Sequence, residues 1–277
     1  MAKRVLVTGG NSGIGFALCK QLLLEKGCFV YLAARSEQKG KEAVQELVAL
    51  APDSQKSNIE FLQIDVTSQA TIDAAAEALK ASGGELFAIV NNAGTGLAHG
   101  VSEQDVLDTN LYGVKRVCDA FIPLLASGGD RRIVNVGSGA GPIWMNSQPV
   151  EAKKLLVNPK VTWEEIESYV QAEAKKPKSG MGAYGYSKAA VTAYTQYLAA
   201  CYPELVISCI TPGFIDTAIV KGFGAKLKPE DGTVSIHKCL FSSLPGSGYF
   251  WGSDGKRSPL CKLRNPGEPE YAGEPEF

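Results

Sequence analysis

The sequence predicts an α/β protein with a doubly wound, mostly parallel sheet and helices on both faces. Short apolar runs typical of buried strands alternate with segments of helical periodicity. A glycine-rich turn joins the first of these runs to the first helix. The 277 residues fit either one large α/β domain or a little under two domains of ~150 residues each. Length alone leaves the number of domains open.

Each predicted strand is an apolar run bounded by turn residues. Runs without polar alternation are typical of strands that a parallel sheet buries on both faces. The six predicted strands span residues 4–7, 28–34, 58–64, 86–90, 132–136 and 206–210.

The predicted helices alternate with these strands, as crossovers between parallel strands require. Ser36 is placed to cap the second helix. The five predicted helices span residues 16–25, 36–50, 68–81, 103–125 and 183–202.

Two segments stand outside the alternation. Residues 139–182 separate a strand from a helix, and within them Thr162-Trp-Glu-Glu165 is a capping-box pattern that predicts a helix to about Lys176. The tail after Gly252 contains four prolines, which predict an extended segment laid on the surface.

Composition excludes several classes of function. Hydrophobic residues make up 45% of the chain and charged residues 21%, with a net charge of −1, so neither nucleic acid nor an anionic membrane is expected as a partner. Two histidines, His99 and His237, cannot build a multi-histidine metal site, and they argue against a Ser-His-Asp relay.

The chain also carries features expected of a cytoplasmic protein. Its seven cysteines are scattered, with no Cys-x-x-Cys pair, as is usual in a reducing compartment. The first residues lack the apolar core of a signal peptide, and no apolar stretch approaches ~18 residues, so no membrane span is expected.

The turn after the first strand carries glycines at Gly9, Gly13 and Gly15. In a strand-turn-helix context, such glycines let the backbone approach a pyrophosphate at the helix N-terminus. Nucleotide binding is therefore the favoured interpretation, and a purely structural turn is the alternative.

The end of the second strand bears on the choice of cofactor. NAD enzymes usually place an acid there to bind the ribose 2′-hydroxyl, whereas this strand ends Leu32-Ala-Ala-Arg35. The planar fork of Arg35 is suited to a 2′-phosphate, and Lys39 lies one helical turn further on. The alternative is that Arg35 is a solvated cation at the start of a helix.

Tyr184 and Lys188 share one face of a predicted helix because they are four residues apart. A nearby ammonium favours the phenolate, so we expect Lys188 to lower the tyrosine pKa from ~10 and to make Tyr184 a usable acid or base. The residue four positions after Tyr186 is alanine rather than lysine, so the same spacing argument does not apply to Tyr186. Alone, a pair with this spacing is usually a surface coincidence.

Seven motifs occur together along the chain. They are Thr8-Gly-Gly-Asn-Ser-Gly-Ile-Gly15, Asp65-Val66, Asn91-Asn-Ala-Gly94, Asn110-Leu-Tyr-Gly113, Ile133-Val-Asn-Val-Gly-Ser138, Tyr184-x-x-x-Lys188 and Pro212-Gly213. With them the sequence resembles the classical short-chain dehydrogenases/reductases over nearly its whole length. The resemblance implies a Rossmann-type, seven-stranded sheet in a single NADP-binding domain, residues 1–277.

The resemblance implies four catalytic residues. Tyr184 corresponds to the general acid that protonates the developing alkoxide, and Lys188 to the residue that lowers the tyrosine pKa and holds the nicotinamide ribose. Ser138 corresponds to the hydroxyl that orients the substrate carbonyl, and Asn110 to the asparagine that holds a water in a proton relay. The alternatives are a turn serine for Ser138 and a helix residue without a task for Asn110.

The resemblance also implies the cofactor contacts. These are Gly9, Asn11, Ser12, Gly13, Ile14 and Gly15 in the turn; Asp65 and Val66 at the adenine; Asn91, Ala93 and Gly94 along the channel; Tyr184 and Lys188; and Pro212, Gly213, Ile215 and Thr217 beside the nicotinamide carboxamide.

Ser138 precedes Tyr184 by 46 residues, more than the common family pattern. This separation matches the carbonyl-reductase-like branch, whose inserted helix covers the surface that other members use to dimerise, so a monomer is expected. In that branch, basic residues at the positions of Arg35 and Lys39 hold the 2′-phosphate. NADP(H) is therefore the expected cofactor, although Ser12 stands where a third basic residue is usual.

Trp144, Met145 and Phe214 correspond to walls of the relatives' substrate pockets, which implies a small apolar carbonyl substrate. Ordinary packing is the alternative for these residues. Residues 218–227 are a candidate lid. The expected activity is reduction of a ketone or aldehyde by NADPH. The alternatives are reduction of an activated C=C bond, alcohol oxidation in the reverse direction, an NADP(H)-sensing protein and a scaffold that uses its tail.

Overall fold

The computed structural model of the protein describes residues 2–96, 101–176 and 182–276. His99 and residues 177–181 of the predicted insertion lie outside the described residues. The described strands are β1 (Arg4–Thr8), β2 (Phe29–Ala34), β3 (Ile59–Gln63), β4 (Ala88–Asn91), β5 (Arg132–Val136), β6 (Val206–Ile210), β7 (Tyr249–Trp251) and β8 (Arg257–Ser258).

These strands form one sheet in the order β3-β2-β1-β4-β5-β6-β7-β8. All neighbouring pairs are parallel except β7 with β8, which is antiparallel. The predicted α/β class with a doubly wound, mostly parallel sheet is confirmed. The described sheet has eight strands where seven were expected, because two residues of the tail add β8.

The α-helices lie on both faces of this sheet. They are α1 (Gly13–Leu24), α2 (Glu37–Leu50), α3 (Gln69–Ala81), α4 (Glu103–Leu107), α5 (Gly113–Phe121), α6 (Ala140–Asn146), α7 (Val150–Leu156), α8 (Trp163–Ala174), α9 (Gly182–Cys201) and α10 (Val234–Phe241). One core cluster joins α3, α5 and α9 to the sheet, and a second joins α1, α2 and α10 to the opposite face.

The helix predicted over residues 103–125 is present as one continuous helical segment to Leu124, but it is not an α-helix throughout. The segment consists of α4, one π-helical turn over Asp108–Tyr112, then α5 and a 3₁₀ turn over Ile122–Leu124. Pro123 has no N–H to donate, so an α-helix cannot run through it unchanged. The π turn adds a residue to the helical repeat at Asn110, which apolar periodicity does not register.

The segment between β5 and α9 contains three described helices, α6, α7 and α8, of which only α8 was predicted. Its capping box is formed: the Thr162 side chain accepts a hydrogen bond from the Glu165 amide, and Glu165 accepts one from the Thr162 amide. The helices α6 and α7 have seven residues each, which is too short for a clear periodic signal.

The tail after Gly252 is only partly the surface segment that its prolines predicted. Ser258, Cys261 and Arg264 are buried, with 4%, 2% and 7% of their surfaces exposed. Residues 265–276 are mostly exposed and have no regular secondary structure. The first half of the tail is therefore part of the folded body.

Two further properties concern the described residues alone. None of their helices has both the length and the apolar character needed to cross a bilayer. Nor do they bring together three His, Cys, Asp or Glu side chains in a group that could hold a metal ion.

Candidate active site

The order of strands reverses between β1 and β4, which lie side by side in the sheet. In open α/β sheets, ligands bind beyond the carboxyl ends of the strands at such a reversal. Four predicted motifs follow the carboxyl ends of β1, β4, β5 and β6. They are the glycine turn, the segment 91–94, Ser138 and the segment 212–217.

Thr8 and Asn92 hold the glycine turn in place, and sequence analysis assigned neither of them a role. The Thr8 hydroxyl accepts hydrogen bonds from the Asn92 and Ala93 amides at 3.0 Å each. The Asn92 side chain donates to the carbonyl oxygens of Thr8 and Gly9 at 2.9 and 3.3 Å. The loops after β1 and β4 are thereby joined.

The turn fits a dinucleotide pyrophosphate. Gly9 has a φ of +65°, and a Cβ on Gly15 would lie 2.2 Å from the Gly9 carbonyl oxygen, so side chains are excluded where the turn closes. Within the described structure, the Ser12 side chain makes no capping hydrogen bond to α1. The first amides of α1 are therefore available to an anion, which the helix dipole favours.

The segment 212–217 lies against this turn. A Cβ on Gly232 would lie 3.0 Å from both Ile14 Cγ1 and Ile215 Cγ1, and one on Gly13 would lie 3.3 Å from Thr217 Cγ2. The structure therefore brings together the predicted pyrophosphate contacts and the predicted carboxamide contacts.

Ser138 and Tyr184 come together because α6 packs closely on α9. A Cβ on Gly141 would lie 3.1 Å from the Ala189 nitrogen, so glycine permits this approach. Ser138 follows β5 and its hydroxyl accepts a hydrogen bond from the Ala140 amide at 3.2 Å. The Ser138 side chain is also hydrogen-bonded to the side chain of Tyr184, which lowers the tyrosine pKa.

Lys188 lies beneath Tyr184 on α9. Its ammonium nitrogen is 5.8 Å from the centre of the Tyr184 ring and donates a hydrogen bond to the Val136 carbonyl oxygen at 2.9 Å. Gly94 lies on the other side of the Lys188 ammonium. A Cβ on Gly94 would lie 3.5 Å from Lys188 Nζ and 3.3 Å from Asn110 Oδ1. The absence of a side chain at Gly94 leaves this corner open to a ligand.

The pKa values differ from the sequence expectation. Burial lowers the pKa of Lys188 to about 8. Burial also raises the pKa of Tyr184 above its ordinary value, and the hydrogen bond with Ser138 offsets this only in part. The expected net lowering of the Tyr184 pKa is therefore wrong, because desolvation opposes the phenolate. A tyrosine in this environment is neutral at pH 7 and can donate a proton.

Asn110 lies on the π turn and only 1% of its surface is exposed. Its side chain accepts from the Thr95 amide at 2.8 Å and donates to the Thr95 carbonyl at 2.9 Å and to the Ser187 hydroxyl at 3.1 Å. These bonds fix the loop after β4 beside α9. The amide group of Asn110 is thereby engaged with protein atoms.

The predicted adenine side lies at the ends of β2 and β3. Arg35 and Lys39 are exposed, and within the described residues neither is part of an ion pair. A surface cleft of about 440 Å³ beside the turn is lined by Asn11, Ser12, Phe16, Lys39, Glu42, Ala43 and Glu46. Asp65 accepts hydrogen bonds from the Thr67 amide and hydroxyl at 3.0 and 2.7 Å, and Val66 beside it is buried.

Three predicted site residues do not present their side chains to this crevice. Asn91 is buried and donates to Asn135 Oδ1 at 2.9 Å and to Cys118 Sγ at 3.2 Å. Trp144 and Met145 are buried in the core cluster, where the Trp144 ring meets the Tyr169 and Tyr186 rings. The structure favours ordinary packing for Trp144 and Met145, whereas Phe214 is 49% exposed.

Thr211 is a further residue that sequence analysis did not single out. Its hydroxyl accepts hydrogen bonds from the Gly139 amide at 3.0 Å and the Gly213 amide at 3.3 Å. One side chain thus joins the loop that carries Ser138 to the loop that carries the predicted carboxamide contacts.

Comparison with known proteins agrees with this arrangement. Residues 3–150 match the family model described as short chain dehydrogenase. Short-chain dehydrogenase/reductase 1 of Saponaria officinalis is 34% identical over 285 residues, covering 89% of this chain and 92% of the relative.

Two solved structures have the same fold. Salutaridine reductase from Papaver somniferum is 30% identical, with a TM-score of 0.78, over 90% of this chain and 99% of that chain. NADPH-bound carbonyl reductase from chicken fatty liver is 25% identical, with a TM-score of 0.68, over 93% of this chain and 98% of that chain. With the glycine turn, Ser138, Tyr184 and Lys188 gathered at the reversal of its sheet, the chain belongs to the short-chain dehydrogenase family of oxidoreductases.

Proposed function

We propose that the protein is an NADPH-dependent reductase that converts a small apolar ketone or aldehyde into its alcohol. The observation that carries this proposal is the hydrogen-bonded pair of Ser138 and Tyr184, with Lys188 below it, at the carboxyl edge that also holds the dinucleotide turn. The names of two relatives, salutaridine reductase and carbonyl reductase, support reduction as the direction.

Ser138, Tyr184 and Lys188 each have a separate role in the proposed reaction. NADPH, when bound, supplies the hydride that the carbonyl carbon accepts. Ser138 donates a hydrogen bond that holds the carbonyl oxygen, and the neutral Tyr184 transfers its proton to that oxygen as negative charge develops there. Lys188, while protonated, stabilises the tyrosinate that remains until a new proton arrives.

The residues at the end of β2 support NADPH over NADH. Arg35 is an exposed cation where NAD enzymes usually carry an acid, and Lys39 lines the cleft beside the turn. Ser36 caps α2 through its hydroxyl, so the positive end of that helix also lies next to Arg35. These groups suit the additional phosphate of NADPH. The NADPH-bound relative is consistent with this choice.

Exposed apolar side chains around the site support an apolar substrate. Ile143 on α6 is 38% exposed, and Phe214 and Leu227 are 49% and 48% exposed. A Cβ on Gly213 would lie 3.8 Å from Leu227 Cδ1, so Leu227 borders the same loop as Phe214. Exposed apolar side chains beside a catalytic site are typical of a surface that binds an apolar ligand.

The test is NADPH consumption with a panel of aldehydes, ketones, quinones and enones, followed by product identification. Tyr184→Phe removes the proton donor but keeps the ring, so we expect turnover to fall by about a hundred- to ten-thousandfold, with NADPH binding retained. Tyr197→Phe on the same helix is the matched control and should keep full activity.

Turnover retained in Tyr184→Phe would overturn the catalytic assignment. A panel without turnover, despite tight NADPH binding, would favour a binding protein over an enzyme. A saturated ketone as the product from an enone would show reduction of the C=C bond.

A further inference from the structure

The tail returns to the candidate active site after β8. Leu263, which is half-buried, approaches the residue directly after Ser138: a Cβ on Gly139 would lie 3.0 Å from Leu263 Cδ1. Ser253, near the start of the tail, approaches the other loop of the site, since a Cβ on Gly213 would lie 3.2 Å from its Cβ. Two tail residues thus border the two loops that Thr211 joins.

Gly139 is not required by the backbone. Its φ of −58° and ψ of −19° are helical, and any L-residue adopts such angles. Space is the constraint, because Cβ contacts at 3.0 Å are tighter than ordinary van der Waals contact. Leu263 therefore occupies the volume that a side chain at residue 139 would need.

A buried clamp fixes the position of Leu263. The neighbouring Arg264 is 7% exposed and forms an ion pair with Asp254. Arg264 also donates to the Ser258 hydroxyl at 3.0 Å and to the Glu268 carbonyl at 2.9 Å. The guanidinium thus contacts tail residues that precede Leu263 and one that follows it. These contacts hold Leu263 in a fixed position.

We propose that Leu263 is a specificity-determining residue of the reduction, forming with Gly139 the wall of the carbonyl pocket beside Ser138. This inference rests on the proposed function, since it assigns to a tail residue the size limit of that same pocket. Ser138 holds the carbonyl oxygen, so a side chain against residue 139 limits the group attached to the carbonyl carbon on that side.

The experiment compares kcat/KM for a series of ketones that differ in the branching of one alkyl group. Leu263→Ala should shift the preference towards the branched members, and Leu263→Phe towards the unbranched ones. We expect a change of about tenfold or more in the ratio, the range that apolar pockets show for a methylene or more. Changes in the ratio separate pocket size from a general loss of active enzyme.

Three further variants test whether Leu263 acts through its contact with residue 139. Gly139→Ala should clash with Leu263 and lower kcat/KM for all members, and adding Leu263→Ala should restore it. Leu260→Ala is the matched control, because Leu260 is a half-buried leucine of the same tail that packs against the core cluster. It should lower thermal stability without changing the substrate ratio.

The outcomes separate the two proposals. If the wild-type protein reduces no ketone in the series or in the wider panel, the proposed function fails. If it reduces them, but Leu263→Ala and Leu263→Phe both leave the ratio of kcat/KM unchanged, as Leu260→Ala does, the proposed function stands and the role of Leu263 is refuted. Failure of Leu263→Ala to rescue Gly139→Ala would also refute it.

Discussion

Arg35 is the single residue on which the preference for NADPH depends most. It is exposed and free of ion pairs within the described residues, so its guanidinium is available to a phosphate. Arg35→Ala should weaken NADPH binding by about ten- to a hundredfold, the value of one charge-assisted hydrogen bond, and leave NADH binding nearly unchanged. Both dissociation constants can be measured by calorimetry.

Lys41→Ala is the matched control for that substitution. Lys41 also lies on α2 but is paired with Glu37 at 2.6 Å, and it does not line the cleft beside the turn. Equal losses of NADPH and NADH affinity in Arg35→Ala would refute the role of Arg35 at the 2′-phosphate.

Lys188 should set the alkaline limit of the reduction. Burial lowers its pKa to about 8, so the ammonium loses its proton as pH rises through that value. Burial holds the pKa of Tyr184 above its ordinary value, so the tyrosine stays protonated over the same range. We expect kcat/KM to fall above about pH 8 with the slope of one proton.

The measurement is a pH profile of kcat/KM, with NADPH binding followed over the same range. A profile that stays flat to pH values well above 8 would contradict the assignment. A fall that begins only at a pH above that at which an ordinary tyrosine titrates would point to Tyr184 instead of Lys188.

At the residue scale, sequence could predict groups that carry chemistry but not those that join distant loops. Tyr184 and Lys188 were predicted from their spacing on one helix face together with the family resemblance, and Ser138 from the resemblance alone. Thr8 and Thr211 were missed because each acts by accepting amides from loops far away in sequence. Their only signal was a threonine at the carboxyl end of a buried strand.

At the scale of elements, predictions succeeded where burial alone decides the structure. The strands β5 and β6 agree with the predicted residues 132–136 and 206–210, since each is an apolar run between turns. The π turn within residues 103–125 was missed because it carries Asn110, whose side chain contacts Thr95 and Ser187. A tertiary contact, rather than local propensity, determines the path of the chain there.

The helix α8 should keep the protein monomeric. Most residues of α9 are buried within the one chain, and the Trp163 ring of α8 meets the Tyr194 ring of α9 with 5.6 Å between centres. A second copy would therefore find no free apolar stripe on α9. Light scattering should give a mass near 29.4 kDa, independent of concentration, and a stable dimer would contradict this.

At the scale of the whole molecule, the class of the sheet was predictable, but its last two strands, β7 and β8, were not located from the sequence. The alternation of strands and helices is repeated along the chain, so a single misjudged helix does not change the fold class. The strand β8 has two residues, Arg257 and Ser258, which are too few for a periodic signal, and a turn over residues 252–256 brings it back beside β7. The prolines correctly predicted a surface segment for residues 265–276 and wrongly predicted one for the tail residues before them.

Truncation should show that the tail belongs to the folded body. A chain that ends at Gly252 loses β8 and the buried Cys261 and Arg264, leaving Trp251 on an uncovered edge. We expect such a chain to fold poorly and to lose several kcal/mol of unfolding free energy, which is the usual loss when buried apolar side chains and a buried ion pair are removed.

A chain that ends at Glu268 keeps the clamp, because Arg264 then still meets Asp254, Ser258 and the Glu268 carbonyl. It should lose much less, since the removed residues are mostly exposed. Thermal unfolding of both truncated chains measures the difference, and equal melting temperatures for the wild type and the chain ending at Gly252 would show that the tail only lies on the surface.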